Sequence, residues 1–349
     1  MTVFRKSLAS TVLAAVGAVL SCNVFAADIS GAGATFPYPI YAKWADAYKT
    51  ETGIGLNYQS IGSGGGIKQI KAKTVTFGAS DKPLKMSELE EAGLTQFPMV
   101  MGAIVPVINV DGIGADQLVL DGPTLADIFY GKISKWNDPA IAKLNPGLTL
   151  PKTAIAVVHR SDGSGTTYNF TYYLGGVSNN WRVNVGVEAS VEWPVGIGGK
   201  GNEGVANMVS QTKGAIGYVE YAYAKQNKMA YTKMINKDGK TVSPSMTSFQ
   251  AAAANADWSK APGYALILAN QPGADSWPMT AATFILVHRK PQSDADLLAA
   301  LKFFDWAFKK GDAMAEELVY IPMPDSVTEM VYKTWKTELK DASGAPLWK

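Results

Sequence analysis

A strand-to-helix turn at residues 159–167 constrains the fold of this chain more than any other segment. The apolar residues 155–158 predict a buried strand before it, and residues 168–174 predict a helix after it that ends at Gly175-Gly176. The first N–H groups of such a helix have no partner within the helix, and its dipole adds partial positive charge there. The turn therefore joins a strand to a helix N-terminus, the unit from which α/β folds are built.

The side chains of this turn are suited to holding a negatively charged ligand. Gly165 lets a ligand approach the backbone closely, while Ser164 and Thr166 add hydroxyl donors. Arg160 adds a fixed positive charge on a planar group of donors. Together these groups fit a tetrahedral oxyanion. An ordinary capped helix, with Arg160 paired to Asp162, is the alternative that this stretch alone leaves open.

The N-terminal residues have the order of a secretory signal peptide. Arg5 and Lys6 are followed by an apolar run at residues 8–20 and by a cleavage sequence at residues 24–26. We therefore expect residues 1–26 to be removed and the mature chain to be exported. The apolar run is too short to span a bilayer, and no later stretch is long and apolar enough to do so.

The cysteine content and the net charge argue against a disulfide-bonded protein and against a nucleic-acid-binding protein. Cys22, the only cysteine, lies within the signal peptide, so we expect no disulfide in the mature chain; lipid anchoring at Cys22 is a less favoured alternative. The chain has 32 Lys and Arg residues against 30 Asp and Glu residues, and removing Arg5 and Lys6 leaves 30 against 30. A mature chain without net charge argues against a nucleic-acid partner, which requires a basic face.

Two further turns place a hydroxyl group beside the start of a helix. Thr35 precedes a helix predicted by apolar residues at four-residue spacing, and we expect it to cap that helix. Ser63 lies in a glycine-rich turn between a predicted strand at residues 55–61 and a predicted helix at residues 67–71. This turn lacks the Gly-Lys-Ser/Thr ending of a nucleotide-binding P-loop.

Strands and helices alternate along the rest of the chain. A predicted strand at residues 75–81 ends in the carboxylate of Asp81, and further strands are predicted at residues 103–110, 215–221 and 283–288. Amphipathic helices lie between and after them. The alternation predicts an α/β fold with largely parallel sheets, in which the turns at the carboxyl ends of strands face a ligand cleft.

One nucleotide-binding pattern occurs, but its surroundings do not support it. Residues 196–201 match the dinucleotide fingerprint, with Glu220 at a suitable distance. Trp193-Pro194 stands where the strand of that motif belongs. We therefore expect a tight loop there, followed by a helix at residues 204–211.

Neither histidine indicates catalysis or a metal site. His159 and Arg160 alternate along a strand and so point to opposite faces, and His288 ends a predicted buried strand. No nucleophile is paired with a base, and no spacing of His, Cys and Asp suggests metal ligands. We therefore expect a protein that is not an enzyme and that has no metal or other cofactor.

The three hydroxyl-bearing turns together predict an anion site. Thr35-Phe36, Ser63 and residues 164–166 each lie beside a helix N-terminus, and Arg160 adds a charge to the third turn. If these turns face one cleft, an anion would be surrounded by donors from three helices. This convergence favours the anion site over three unrelated helix caps.

The same segments resemble the periplasmic phosphate-binding proteins of bacterial ABC phosphate importers. The resemblance covers essentially the whole mature chain. It is carried by residues 31–37 (GAGATFP), 62–66 (GSGGG), 77–81 (FGASD), 160–166 (RSDGSGT), 214–225 (GAIGYVEYAYAK) and 303–307 (FFDWA).

The resemblance implies two α/β lobes joined by crossover strands, with phosphate enclosed in the cleft between them. The first lobe would take residues 27–103 and 271–349, and the second residues 104–270. It further implies a monomeric periplasmic protein that binds inorganic phosphate and delivers it to the inner-membrane permease subunits of an ABC importer.

The resemblance also implies a role for each site residue. Hydroxyl or backbone N–H donors to phosphate would be Thr35, Phe36, Ser63, Ser164, Gly165 and Thr166. Arg160, held by Asp162, would form a charged pair with the ligand. Asp81 would accept the proton that phosphate carries.

Asp81 would also explain selectivity against sulfate. Phosphate at neutral pH still carries a proton that it can donate to a carboxylate, whereas sulfate carries none and would face Asp81 with two acceptors opposed. An unmatched buried charge costs about 3–5 kcal/mol, or about a hundred- to several-thousand-fold in affinity. The alternatives are a binder of another oxyanion such as sulfate or molybdate, a secreted phosphatase, and an adhesin that reuses the fold.

Overall fold

The structure is a computed structural model and describes residues 28–349. The predicted signal peptide, its cleavage point and Cys22 lie outside the described residues. Across the described range, no helix combines the length and the apolar character needed to cross a membrane.

Strands and helices alternate along the described chain, as the sequence predicts. The strands are β1 (Ile29–Gly33), β2 (Leu56–Ser60), β3 (Phe77–Ser80), β4 (Leu94–Asn109), β5 (Val119–Asp121), β6 (Ala156–Arg160), β7 (Ile197–Gly199), β8 (Ala215–Glu220), β9 (Ala230–Tyr231), β10 (Lys233–Ile235), β11 (Thr241–Val242), β12 (Thr280–His288) and β13 (Ile321–Pro322). The α-helices are α1 (Tyr38–Thr52), α2 (Ser63–Lys71), α3 (Met86–Ala92), α4 (Gly122–Tyr130), α5 (Pro139–Leu144), α6 (Gly165–Val177), α7 (Asn179–Asn184), α8 (Gly201–Gln211), α9 (Tyr221–Gln226), α10 (Met246–Ala253), α11 (Asp294–Lys310), α12 (Asp312–Glu317) and α13 (Asp325–Glu338).

Ten strands form one mixed sheet, and β5, β10 and β11 form a smaller one. The large sheet has the order β2-β1-β3-β12-β4-β8-β6-β7, with β9 and β13 each paired to β4. The strands at its two ends pair in parallel, but β12 and β4 in the middle run antiparallel to their neighbours. The prediction of largely parallel sheets is therefore wrong for the centre, because β4 and β12 carry the chain between the two parallel groups in opposite directions.

Strand β4 links the two parallel groups. Residues 94–103 pair with β12, and residues 104–109 pair with β8. Where β4 changes partner, Trp277 Nε1 donates to the carbonyl of Ile104 at 2.9 Å, and the N–H of Ile104 donates to the carbonyl of Met279. We call β1–β3 with the helices packed on them the first lobe, and β6–β8 with their helices the second lobe.

Aromatic side chains fill the interior behind the two groups of turns. In the first lobe Phe77 and Phe304 meet edge to face at 5.0 Å, and in the second lobe Phe170 stacks on Tyr218 at 4.0 Å. Such contacts fix ring positions as well as burying apolar area. Four tryptophans are fully buried in this interior: Trp136, Trp181, Trp277 and Trp335.

Two helices begin earlier than the sequence predicts. Helix α6 begins at Gly165 and continues through Gly175-Gly176 to Val177, so the predicted stop is wrong. A Cβ atom at Gly175 would lie 2.8 Å from Val187, so a glycine here serves close packing rather than helix termination. The loop predicted at residues 196–201 is also wrong: it forms strand β7 on the edge of β6 and the first residue of α8.

Candidate anion-binding site

The three turns predicted from the sequence meet where the two lobes face each other. Thr35 and Asp81 follow strands β1 and β3 of the first lobe, and Ser63 begins α2. The N–H of Gly64 donates to the carbonyl of Gly163 at 2.8 Å, which joins the turns of the two lobes directly. The eight predicted site residues are all buried.

Arg160 is held rigidly at the end of β6. Its Nε and Nη2 donate to the two carboxylate oxygens of Asp162 at 2.8 and 2.6 Å, and the N–H of Gly201 donates to the same carboxylate at 3.0 Å. Burial disfavours the guanidinium charge, but the bonds to Asp162 outweigh burial and raise the pKa of Arg160. Its third nitrogen, Nη1, is buried and has no hydrogen-bond partner within residues 28–349. Arg160 thus presents a fixed charge with a free donor.

Asp81 presents a free acceptor in the same cluster. Its Oδ2 lies 3.5 Å from Ser63 Oγ, and its Oδ1 is buried without a partner in the described chain. Burial raises the pKa of Asp81 to about 7, against the opposing influence of the nearby Thr283 hydroxyl and, after it, of the Arg160 charge. A buried carboxylate of this kind is stabilised by a ligand that brings a proton to it.

Ser63 can act only as a hydrogen-bond donor towards a ligand. Its Oγ accepts the N–H of Gly165 at 3.0 Å and the N–H of Asp81 at 3.2 Å. A hydroxyl oxygen has two lone pairs, so these two bonds leave only its hydrogen, which has Asp81 Oδ2 at 3.5 Å as a long acceptor and can be donated to a ligand instead. The resemblance implied that the N–H of Gly165 faces the ligand; in the structure it is donated to Ser63, because the start of α6 lies against the first lobe.

The remaining predicted donors lie at the starts of helices α1 and α6. Ser164 caps α6 by accepting the N–H of Thr167 at 3.0 Å, which leaves its hydroxyl hydrogen free. Phe36 is buried, and its carbonyl accepts the hydroxyl of Tyr320 at 2.6 Å. The prediction that Thr35 caps α1 is wrong. Pro37 occupies the N-cap position, and the Thr35 hydroxyl is bonded to Asn202 of the second lobe instead.

These groups can hold a tetrahedral anion, and both histidines have other contacts. His159 stacks on Trp193 at 4.7 Å, and His288 Nε2 is bonded to the carbonyl of Ile70, so neither histidine is paired with a nucleophile. Among residues 28–349, no group of three His, Cys, Asp or Glu residues is placed to hold a metal ion. One fixed cation, one carboxylate and several hydroxyl or amide donors suit an oxyanion that carries a proton.

Comparison with known proteins agrees with this chemistry. Residues 20–310 match the model of the PBP superfamily domain. The phosphate-binding protein PstS of Pasteurella multocida is 57% identical over 323 residues, which cover 93% of this chain and 94% of that protein. PstS of Xylella fastidiosa strain 9a5c is 55% identical, covering 89% and 86%. The chain belongs to the PstS family of phosphate-binding proteins.

A solved structure supports the fold of this PstS-family chain. The phosphate binding protein of Stenotrophomonas maltophilia superimposes with a TM-score of 0.70, at 21% identity, over 92% of this chain and 96% of that one. The fold class predicted from the sequence, a two-lobed α/β periplasmic binding protein with a cleft between the lobes, is confirmed.

Several polar residues that surround the predicted site of this PstS-family chain were not predicted from the sequence. Asn202 bonds to Thr35 and Thr166, and Tyr223 donates to the carbonyl of Thr35 at 2.6 Å. Tyr320 joins the carbonyl of Phe36 to the Glu220 carboxyl. Burial raises the pKa of Glu220 well above its usual range. The sequence predicted this helix to begin at residue 204. It begins at Gly201, and the prediction therefore left Asn202 in a loop.

Proposed function

We propose that this protein binds inorganic phosphate in the periplasm and delivers it to the membrane permease of an ABC phosphate importer, without converting it chemically. The relatives named PstS are phosphate-binding proteins. The observation that carries the proposal is the free acceptor of Asp81 enclosed in one buried cluster with the free donor of Arg160. A phosphate that still carries a proton satisfies both groups at once.

Each site residue then has a role that its contacts support. Arg160 neutralises the anion, and Asp81 accepts its proton. The donors would be the hydroxyls of Thr35, Ser63, Ser164 and Thr166 and the N–H groups of Phe36 and Thr166. Gly165 contributes by bonding Ser63, which directs the Ser63 hydrogen towards the ligand.

The lobes and their setting belong to the same proposal. We propose that residues 27–103 and 271–349 form the first lobe and residues 104–270 the second, since β4 changes its pairing partner between residues 103 and 104. Residues 1–26 would direct export and then be removed, so the mature protein would act in the periplasm as a monomer that docks on the permease subunits.

Titration calorimetry of the mature protein tests this function. We expect one phosphate to bind per chain, with sulfate and molybdate at least about tenfold weaker at pH 8.5, where the Asp81 charge opposes an anion without a proton. Equal affinity for sulfate would favour the other-oxyanion alternative. Steady release of the coloured product from a chromogenic phosphate ester would contradict a binding function and indicate a phosphatase.

A further inference from the structure

Asn202 lies at the start of α8 and joins the two lobes through the site. Its side chain is fully buried, and both of its polar atoms are bonded. Nδ2 donates to Thr35 Oγ1 at 2.6 Å and to Thr166 Oγ1 at 3.3 Å, while Oδ1 accepts the N–H of Glu220 at 2.9 Å. The backbone N–H of Asn202 donates to the same Thr35 oxygen at 3.1 Å.

These bonds determine whether the Thr35 hydroxyl can donate or accept a further hydrogen bond. Its oxygen accepts two hydrogens, both from Asn202, and a hydroxyl oxygen has only two lone pairs. The Thr35 hydrogen is therefore available only for donation, and Asn202 has no acceptor facing Thr35 to receive it. This is the arrangement that Gly165 and Asp81 impose on Ser63, produced here by the side chain and the backbone N–H of one residue of the opposite lobe.

The orientation of the Asn202 amide follows from its third contact. The N–H of Glu220 is a donor, so it requires the oxygen of the amide on its side and leaves the NH₂ group on the side of Thr35. Glu220 ends β8, next to the point where β4 links the lobes. The amide is thus fixed by the framework of the second lobe.

We propose that Asn202 is a positioning residue for anion recognition: it makes the Thr35 hydroxyl a donor that can only serve the bound anion, and it does so only when the second lobe lies against the first. This inference rests on the proposed phosphate-binding function. The bond from Asn202 to Thr35, at 2.6 Å, is much shorter than its bond to Thr166, at 3.3 Å, so its effect on affinity passes mainly through Thr35.

A double-mutant cycle between Asn202 and Thr35 tests the inference. Phosphate affinity is measured by calorimetry for the parent, Asn202→Ala, Thr35→Val and the double variant. We expect Asn202→Ala to weaken binding about 10- to 100-fold in the parent and less than about 3-fold in the Thr35→Val background, as contacting residues couple while independent ones add. Thermal unfolding without ligand confirms that each variant is folded.

Asn169 provides the matched control. It is also a buried asparagine between the lobes, donating to the carbonyl of Asp81 at 2.7 Å and to that of Gly165 at 3.0 Å, but it does not bond to Thr35. Asn169→Ala should therefore lower phosphate affinity by the same factor in the parent and in the Thr35→Val variant. If Asn202→Ala behaved in the same additive way, Asn202 would only hold the lobes together and the inference would be wrong.

The variant Asn202→Asp gives a second, independent readout. The ionised carboxylate would accept the Thr35 hydrogen and turn it away from the anion, whereas the protonated form can again donate to Thr35. At high pH, we expect Asn202→Asp to bind phosphate more weakly than Asn202→Ala does. As the pH is lowered, the phosphate affinity of Asn202→Asp relative to that of the parent should rise. A ratio independent of pH would overturn the inference. A parent that binds no phosphate would overturn the proposed function, and this inference with it.

Discussion

Arg160 supplies the only fixed positive charge among the predicted site residues. Its pairing with Asp162 leaves Nη1 free, so replacing it removes both a charge and a donor from a buried site. We expect Arg160→Ala to weaken phosphate binding by about 30- to several-thousand-fold, the usual range for losing a buried charged partner. Calorimetry measures this, with the exposed Arg182→Ala as control. An Arg160→Ala variant with parental affinity would show that the anion binds elsewhere.

Asp81 should set selectivity more than affinity. Asp81→Asn removes the charge and replaces one acceptor oxygen by a donor NH₂ group, which sulfate can use. We expect phosphate to bind moderately less tightly and sulfate to bind more tightly, so the ratio of the two affinities should fall by at least about tenfold. The ratio is measured at one pH and one salt concentration, because screening changes both affinities. An unchanged ratio would assign selectivity to another group.

The raised pKa of Asp81 adds a pH dependence with a definite sign. Above its pKa of about 7 the carboxylate repels sulfate; below it, the carboxyl group is protonated and can donate to sulfate. Sulfate affinity should therefore rise as the pH is lowered from about 8.5 to about 7, by at most about tenfold per pH unit since one proton is taken up, and should level off below about 7, where Asp81 is already protonated. The Asp81→Asn variant should show no such rise. A parental curve as flat as that of the variant would mean that Asp81 stays ionised throughout.

At the level of elements, the N-terminus of α6 must lie directly against the first lobe. A Cβ atom at Gly165 would lie 2.5 Å from Ser63 Oγ and 2.7 Å from the N atom of Asp81. Gly165→Ala should therefore hold the lobes apart and lower phosphate affinity by at least about tenfold, as steric conflicts with a packed backbone do. Gly176 in the same helix has nothing within 4 Å of such an atom, so Gly176→Ala should leave affinity unchanged and stabilise the helix slightly.

Calorimetry with thermal unfolding separates these two effects of alanine. A Gly165→Ala protein that unfolds at the parental temperature but binds weakly would locate the damage in the contact between lobes. Equal affinities for the two variants would mean that the lobes do not approach this closely when phosphate is bound.

Local chemistry made several elements predictable from the sequence. Helix α1, predicted after Thr35 from apolar residues at four-residue spacing, ends at Thr52 with Gly53 in a left-handed conformation. Strand β4 was predicted only from residue 103, because Pro98 and Gly102 interrupt its apolar pattern. Its pairing with β12 shifts register next to Pro98, so that an irregularity in the ladder accommodates the proline.

The candidate site was predictable only where its residues lie within single turns. The grouping of Arg160 with Ser164 and Thr166 follows from sequence proximity and helix-start chemistry. The bond from Asn202 to Thr35 joins residues 167 positions apart, and the Tyr320 contact with Phe36 spans 284 positions. No spacing rule links such residues, so only the path of the chain through β4 and back through β12 brings them together.

At the scale of the whole molecule, polar contacts around the rim of the cleft complement those at its centre. Lys82 of the first lobe pairs with Glu188 of the second at 2.8 Å and lies over the ring of Tyr168. On another side, Ser60 Oγ donates to Glu203 at 3.2 Å. Exposed pairs of this kind contribute about 1 kcal/mol or less each. The rim therefore adds little energy of its own. The buried hydrogen bonds at the centre, such as those from Asn202 to Thr35 and from Gly165 to Ser63, and the anion that they surround must supply most of the free energy that holds the lobes together.

Phosphate should therefore close the lobes, and its removal should let them separate. Without an anion, the closed form encloses an unmatched Arg160 donor beside a carboxylate, and burying unpaired groups of this kind is unfavourable. Small-angle scattering should show a smaller radius of gyration with saturating phosphate than without it, and no decrease with sulfate at the same concentration. Arg160→Ala should keep the larger radius at the phosphate concentration that closes the parent. An unchanged parental profile on adding phosphate would indicate a cleft that is closed before the ligand arrives, and would place the route of entry elsewhere than between the lobes.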